Sequence, residues 1–171
     1  MPIQYSRSTY PAAPIIKVDR QPGVAIIDDD AELTRAVGRI LRTKYNCLVK
    51  GYPSLEAFLQ ALDDPSSQTF FESNLDLILL DFHLPGRDGP RLVRELAERR
   101  SSLLDRAHIM GITGDGEATI ITQFRDEGIE EILQKPLGSP DFGNIAEKAY
   151  RICSGEESPR RPRPSIIAKY L

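Results

Sequence analysis

Five short apolar runs punctuate this sequence, and a longer stretch with its own rhythm follows each of them. The runs are "VAIID", "CLVKGY", "LDLILLD", "AHIMGIT" and "EEILQ". The intervening stretches place apolar residues three and four apart, as in "DAELTRAVGRILRTKY", where Leu33, Val37, Ile40 and Leu41 share one helical face. Strands returning parallel to one another need a crossover of a dozen or more residues, commonly a helix. The alternation therefore predicts an α/β chain: a doubly wound parallel sheet covered by helices on both faces.

Local signals sharpen the helices. Ser54 stands as N-cap before "LEAFLQAL", with Glu56 in the first turn. "GPRLVRELAERR" and "EATIITQFRDEG" supply two more helices, and Gly128 ends the second. The last, "SPDFGNIAEKAYRIC", starts with Ser139 as cap and Pro140 at its first position. The stretch "DDPSSQTFFESN" is a polar connection of unusual length, interrupted by Phe70 and Phe71, which are expected to pack under the sheet edge.

With 171 residues, 40% hydrophobic and 27% charged, the chain has material for one well-buried domain and little more. No apolar run approaches the roughly 20 residues that cross a bilayer, so no membrane role is expected. The two cysteines, Cys47 and Cys153, lack metal-ligand spacing and read as reduced thiols of a cytoplasmic protein. Charge is uneven. Residues 1–23 and residues 156–171 each carry two excess positive charges, so the net of −3 leaves −7 between them. An acidic body with basic, Pro-rich ends argues against direct nucleic-acid binding. Residues 1–22 and 154–171 read as an extension and a tail of extended backbone, linkers or docking arms, around a domain at 23–153.

In open α/β sheets ligands bind at the carboxyl ends of the strands, where strand order reverses. The first run ends in Asp28 and Asp29, the third in Asp81, the fourth in Thr113 and the fifth in Lys135. Taken singly, the aspartates could serve a helix N-terminus, Thr113 a loop and Lys135 the solvated surface. Convergence on one edge favours a shared site. Two carboxylates about 5 Å apart repel by roughly 3 kcal/mol at an effective dielectric of 20. One lysine does not neutralise three, so the cluster either raises its members' pKa values or recruits a cation, and oxygen ligands suit Mg²⁺. A carboxylate beside Mg²⁺, an ammonium and a hydroxyl can accept a phosphoryl group.

The motifs "AIIDDD", "LILLDFHLPGRDG", "GITG" and "LQKPL" resemble, in order and spacing, the receiver domains of two-component response regulators. The resemblance implies a flavodoxin-like (βα)₅ fold with strand order 2-1-3-4-5. It implies that Asp81 is the phosphoacceptor, charged from the phosphohistidine of a histidine kinase or a histidine phosphotransfer protein. Asp29 and Asp81 would bind Mg²⁺, with Asp28 helping through water and His83 through its backbone carbonyl. Thr113 and Lys135 would contact the phosphoryl oxygens, and the Lys135–Pro136 bond would be cis. His83 and Asp115 occupy positions that flank the phosphoryl group in similar proteins and could tune its lifetime.

One position departs from the family's pattern. Three residues before the lysine, where an aromatic residue is usual, this sequence has Ile132. The expectation is altered coupling between phosphorylation and the surface of the fourth crossover helix and fifth strand. Residues 154–171 are too few for a DNA-binding or catalytic domain, so output is expected through protein contact: binding a downstream target, relaying phosphate to a second histidine protein, or acting as a phosphate sink, with a homodimer as a further partnership. Two alternatives stand beside this reading. One is a degenerate receiver acting as a phosphorylation-independent interaction module. The other is an aspartate-nucleophile phosphatase of the haloacid dehalogenase kind, against which His83 counts, since those enzymes place an aspartate there.

Overall fold

A computed structural model of the protein describes residues 10–84, 88–99, 101–114 and 118–160. Five parallel strands form one sheet in the order β2-β1-β3-β4-β5: β1 (Gly23–Ile27), β2 (Leu48–Tyr52), β3 (Leu75–Asp81), β4 (His108–Thr113) and β5 (Ile132–Gln134). Order reverses between β1 and β3, which pair directly, Ile27 opposite Leu80. The three central strands β1, β3 and β4 are buried along their whole length, as expected of strands with helices on both faces.

Among the described residues six α-helices surround the sheet: α1 (Ala31–Tyr45), α2 (Leu55–Asp63), α3 (Asp88–Arg99), a single turn α4 (Ser101–Leu104), α5 (Ala118–Asp126) and α6 (Ser139–Ser154). Alternate strand residues feed two cores. Val24, Ile26, Leu77, Leu79, Met110 and Ile112 meet α1 and α6, while Ala25, Ile27, Ile78, Leu80 and Ile109 meet α2, α3 and α5. Expected caps are in place at Ser54, whose Oγ accepts the Ala57 amide at 3.1 Å, and at Gly128, whose φ of 80° ends α5 in the left-handed region that glycine favours. The start of α6 differs from expectation. Ser139 is its first residue and Gly138 its cap, where the Asp141 carboxylate accepts the Gly138 amide at 2.6 Å.

The connection after α2 is not a loop. It folds into a 3₁₀ turn (Pro65–Ser67) and a π-helical turn (Phe70–Asn74), burying Phe70 and Phe71. Phe71 packs edge-on against Phe58, 5.5 Å between centroids. From Tyr10 on, the N-terminal extension forms no helix or strand before β1, yet it packs against the body. Tyr10, Ile16 and Val18 lie against the α1/α6 core, and Pro11 accepts a hydrogen bond from Tyr45 Oη. Arg20 grips buried Asp76 with two 2.7 Å hydrogen bonds. Among the described residues no helix is long and apolar enough to cross a membrane.

Candidate functional site

Each site residue sits where its strand stops. Asp81 is the last residue of β3 and Thr113 the last of β4, while Asp28 follows β1 and Lys135 follows β5. The apolar runs that fill the sheet thus dictate where the polar groups emerge. Asp28, Asp81 and Thr113 are buried, and Asp29 is exposed. Oxygens of Asp28, Asp29 and Asp81 lie within 4.8 Å of one another. At that spacing two carboxylates repel by roughly 3 kcal/mol at an effective dielectric of 20.

Lys135 answers part of that charge. Its Nζ stands 2.8 Å from Asp28 Oδ2 and 3.2 Å from Asp81 Oδ2. The shorter approach sets the ammonium directly against the buried Oδ2 of Asp28. Main-chain amides orient the carboxylates: Asp30 donates to Asp28 Oδ1 at 2.8 Å and His83 to Asp81 Oδ1 at 3.1 Å. The Asp28 amide is itself held by the Tyr52 carbonyl, and the Lys135 amide by the Thr113 carbonyl. The Lys135–Pro136 bond is cis.

Burial raises the Asp28 pKa, with the Asp81 charge adding to it and Lys135 opposing. Burial alone would lower the Lys135 pKa, but its contacts with Asp28 and Asp81 outweigh that and raise it, so the ammonium stays charged. A pocket with three converging carboxylates against one fixed cation is left with net negative charge, which fits a hard divalent ion. Its donors are all oxygen, unlike a zinc site.

The structure brings together Asp28, Asp29, Asp81 and Lys135, with Thr113 tied to Lys135 through the backbone. The third aspartate of "DDD" is separate: Asp30 caps α1, accepting from the amides of Glu32 and Leu33. The side chain of His83 is exposed. Ile132 opens β5 half-buried against the α2/α3/α5 core. Asp115 lies outside the described residues, as does the segment Pro85 to Arg87. The orienting amides of Asp30 and His83 were not anticipated, since a backbone group leaves no mark in the sequence.

The model of the response regulator receiver domain matches residues 24–147. The chain belongs to that family. Relatives of this receiver include the two-component response regulator ARR3 of Arabidopsis thaliana, 28% identical over 73% of this chain and 54% of that protein. Another is the transcriptional regulatory protein ResD of Bacillus subtilis, 26% identical over 67% of this chain and 42% of ResD. The chain thus spans about half the length of these curated relatives. Among solved structures, a receiver protein from Burkholderia phymatum is 27% identical with a TM-score of 0.60, over 76% of this chain and 95% of that one. A CheY-like receiver domain from Methanospirillum hungatei shares the fold at 17% identity, with a TM-score of 0.62 over 81% of this chain and the whole of that one. The sheet order and covering helices match that fold. Receivers of this family serve as phosphoacceptors in two-component signalling.

Proposed function

We propose that Asp81 accepts a phosphoryl group from the phosphohistidine of a histidine kinase or a histidine phosphotransfer protein. A carboxylate oxygen of Asp81 attacks phosphorus, an O–P bond forms, and the N–P bond to the departing imidazole breaks. Lys135, between Asp28 and Asp81, supplies fixed positive charge to the phosphoryl oxygens, and the Thr113 hydroxyl is their second protein contact. Mg²⁺, when bound, neutralises charge that builds on those oxygens. Asp29, Asp81 and the His83 carbonyl would hold it directly and Asp28 through water. His83 and Asp115 are candidates for tuning the lifetime of the aspartyl phosphate. Residues 23–153 form the signalling unit, flanked by the extension 1–22 and the tail 154–171, and the signal leaves by protein contact or phosphorelay.

The observation that carries this reading is the convergence of three carboxylates, two of them in contact with Lys135, at the point where strand order reverses. Incubation with acetyl phosphate and Mg²⁺ is expected to add one phosphoryl mass, reversibly, and Asp81→Asn to add none. Sustained hydrolysis of many phosphate esters would mean a phosphatase. Ile132 favours, as second reading, a degenerate interaction module, and an unmodified mass under these conditions would establish it.

A further inference from the structure

The residue next to the acceptor carries an aromatic ring, and that ring has a partner. Phe82 follows Asp81 directly, and its amide donates to the Ile112 carbonyl at 3.0 Å, one residue before Thr113. Its ring meets Phe124 of α5 with centroids 4.4 Å apart. Phe124 is fully buried, and its ring lies on the backbone of β4 itself: a Cβ placed on Gly111 would stand 2.8 Å from Phe124 Cε1 and Cζ. Gly111 and Thr113 are two apart on one strand and so face the same side of the sheet. Gly111 is also the register partner of Ile132. The missing side chain at 111 thus makes room for an aromatic ring reaching in from α5, alongside the aliphatic Ile132.

We infer that Phe124, seated on Gly111 against Phe82, is the residue through which the state of Asp81 reaches α5. The inference rests on the phosphoacceptor reading above. A phosphoryl group on Asp81 adds bulk and charge among Asp81, Thr113 and Lys135. The β3 end and the β4 end that must adjust are the two backbones touching the Phe82–Phe124 pair. Packing this close leaves no void to absorb a shift, so movement of either strand end is passed to the ring and its helix. Phe124 contacts no reacting atom; it acts through Phe82 and β4. Coupling then does not depend on the side chain of Ile132.

The test compares backbone amide shifts of the full chain with and without beryllofluoride and Mg²⁺, in wild type, Phe124→Leu, Phe82→Leu and Ile132→Ala. Amides around Asp81 and Thr113 are expected to shift in all four, showing that the site loads. Shifts across residues 118–126 are expected in wild type and Ile132→Ala, and to fall by at least half in Phe124→Leu and Phe82→Leu. Phe82 is only half-buried, so its variant decides the matter if the Phe124 variant does not fold. Full α5 shifts in a loaded Phe82→Leu protein, or their loss in Ile132→Ala alone, would overturn the inference. A wild type that takes up no beryllofluoride would overturn the reading of Asp81, and this inference with it.

Discussion

Asp28 shows what the site costs the fold. It is buried, lies within 4.8 Å of two other carboxylates, and meets a single ammonium at 2.8 Å. Its raised pKa reflects first the burial and then the neighbouring Asp81 charge, with Lys135 compensating in part. Asparagine has the same shape without the charge. Asp28→Asn is therefore expected to stabilise the metal-free protein by about 1–2 kcal/mol while slowing phosphoryl uptake, a trade of stability against function common at charged sites. Urea unfolding in EDTA, together with the acetyl phosphate reaction, checks both halves. A destabilised Asp28→Asn would show that the Lys135 contact is worth more than the repulsion it offsets. Of these site residues, all that stand at strand ends were legible, because an apolar run that stops at a polar group marks its own carboxyl end. Asp30 is not among the site residues that the sequence suggests, and it caps α1, though adjacency alone says nothing about which carboxylate turns back to the helix.

At the scale of elements, the N-terminal segment is the clearest departure from what the sequence implied. "YPAAP" reads as extended backbone, but composition could not show that Tyr10, Ile16 and Val18 would find the α1/α6 core. The anchor is electrostatic. Asp76, 2% exposed at the start of β3, accepts two hydrogen bonds from Arg20 and one from the Gly23 amide. Removing one partner of such a pair leaves a buried charge, which costs 3–5 kcal/mol when both groups are enclosed. Arg20 is about a third exposed, so water screens part of the loss. Arg20→Ala is expected to destabilise by about 2 kcal/mol in urea unfolding, with Asp76→Asn/Arg20→Ala recovering part of it. Equal stability of Arg20→Ala and wild type would return this segment to the status of a linker. The Phe70–Phe71 turn teaches the same lesson. Its two aromatics were visible as candidates for burial, but the π-helical turn that buries them depends on Phe58 and Tyr52, which lie far off in sequence. The strands were legible because burial on both faces writes a continuous apolar run, which needs no knowledge of a distant partner.

Taken whole, the molecule has two unlike edges. The carboxyl ends of the strands gather acid that one lysine only partly offsets, whereas the amino ends of β3, β4 and β5 hold paired charges that fasten both ends of the described chain. At the second edge His108 opens β4, buried, with Nδ1 accepting the Arg160 amide at 3.3 Å and Nε2 standing 3.2 Å from Glu131 Oε1. Lys148 of α6 bridges Glu131 and Glu157, and Arg160 pairs with Glu130. Burial lowers the His108 pKa below its usual 6.5, as do Lys148 and Arg160, against the pull of Glu131 and Glu157. A protonated Nδ1 cannot accept the Arg160 amide, so the clasp on residues 155–160 requires the neutral ring. The sign follows from linkage: below pH 6.5 the unfolded chain binds a proton at this histidine that the folded one resists, so stability falls as pH drops through that range. His108→Gln, which keeps an acceptor but does not titrate, is expected to flatten the pH dependence of the urea midpoint between pH 7.5 and 5.5. The protection factor of the Arg160 amide, its exchange relative to the unstructured rate at the same pH, should fall at the acid end in wild type only. Asp28 works in the opposite sense in the acid range, but it is present in both proteins and cancels from the comparison. Parallel pH profiles for the two proteins would mean that the tail is held by its ion pairs alone.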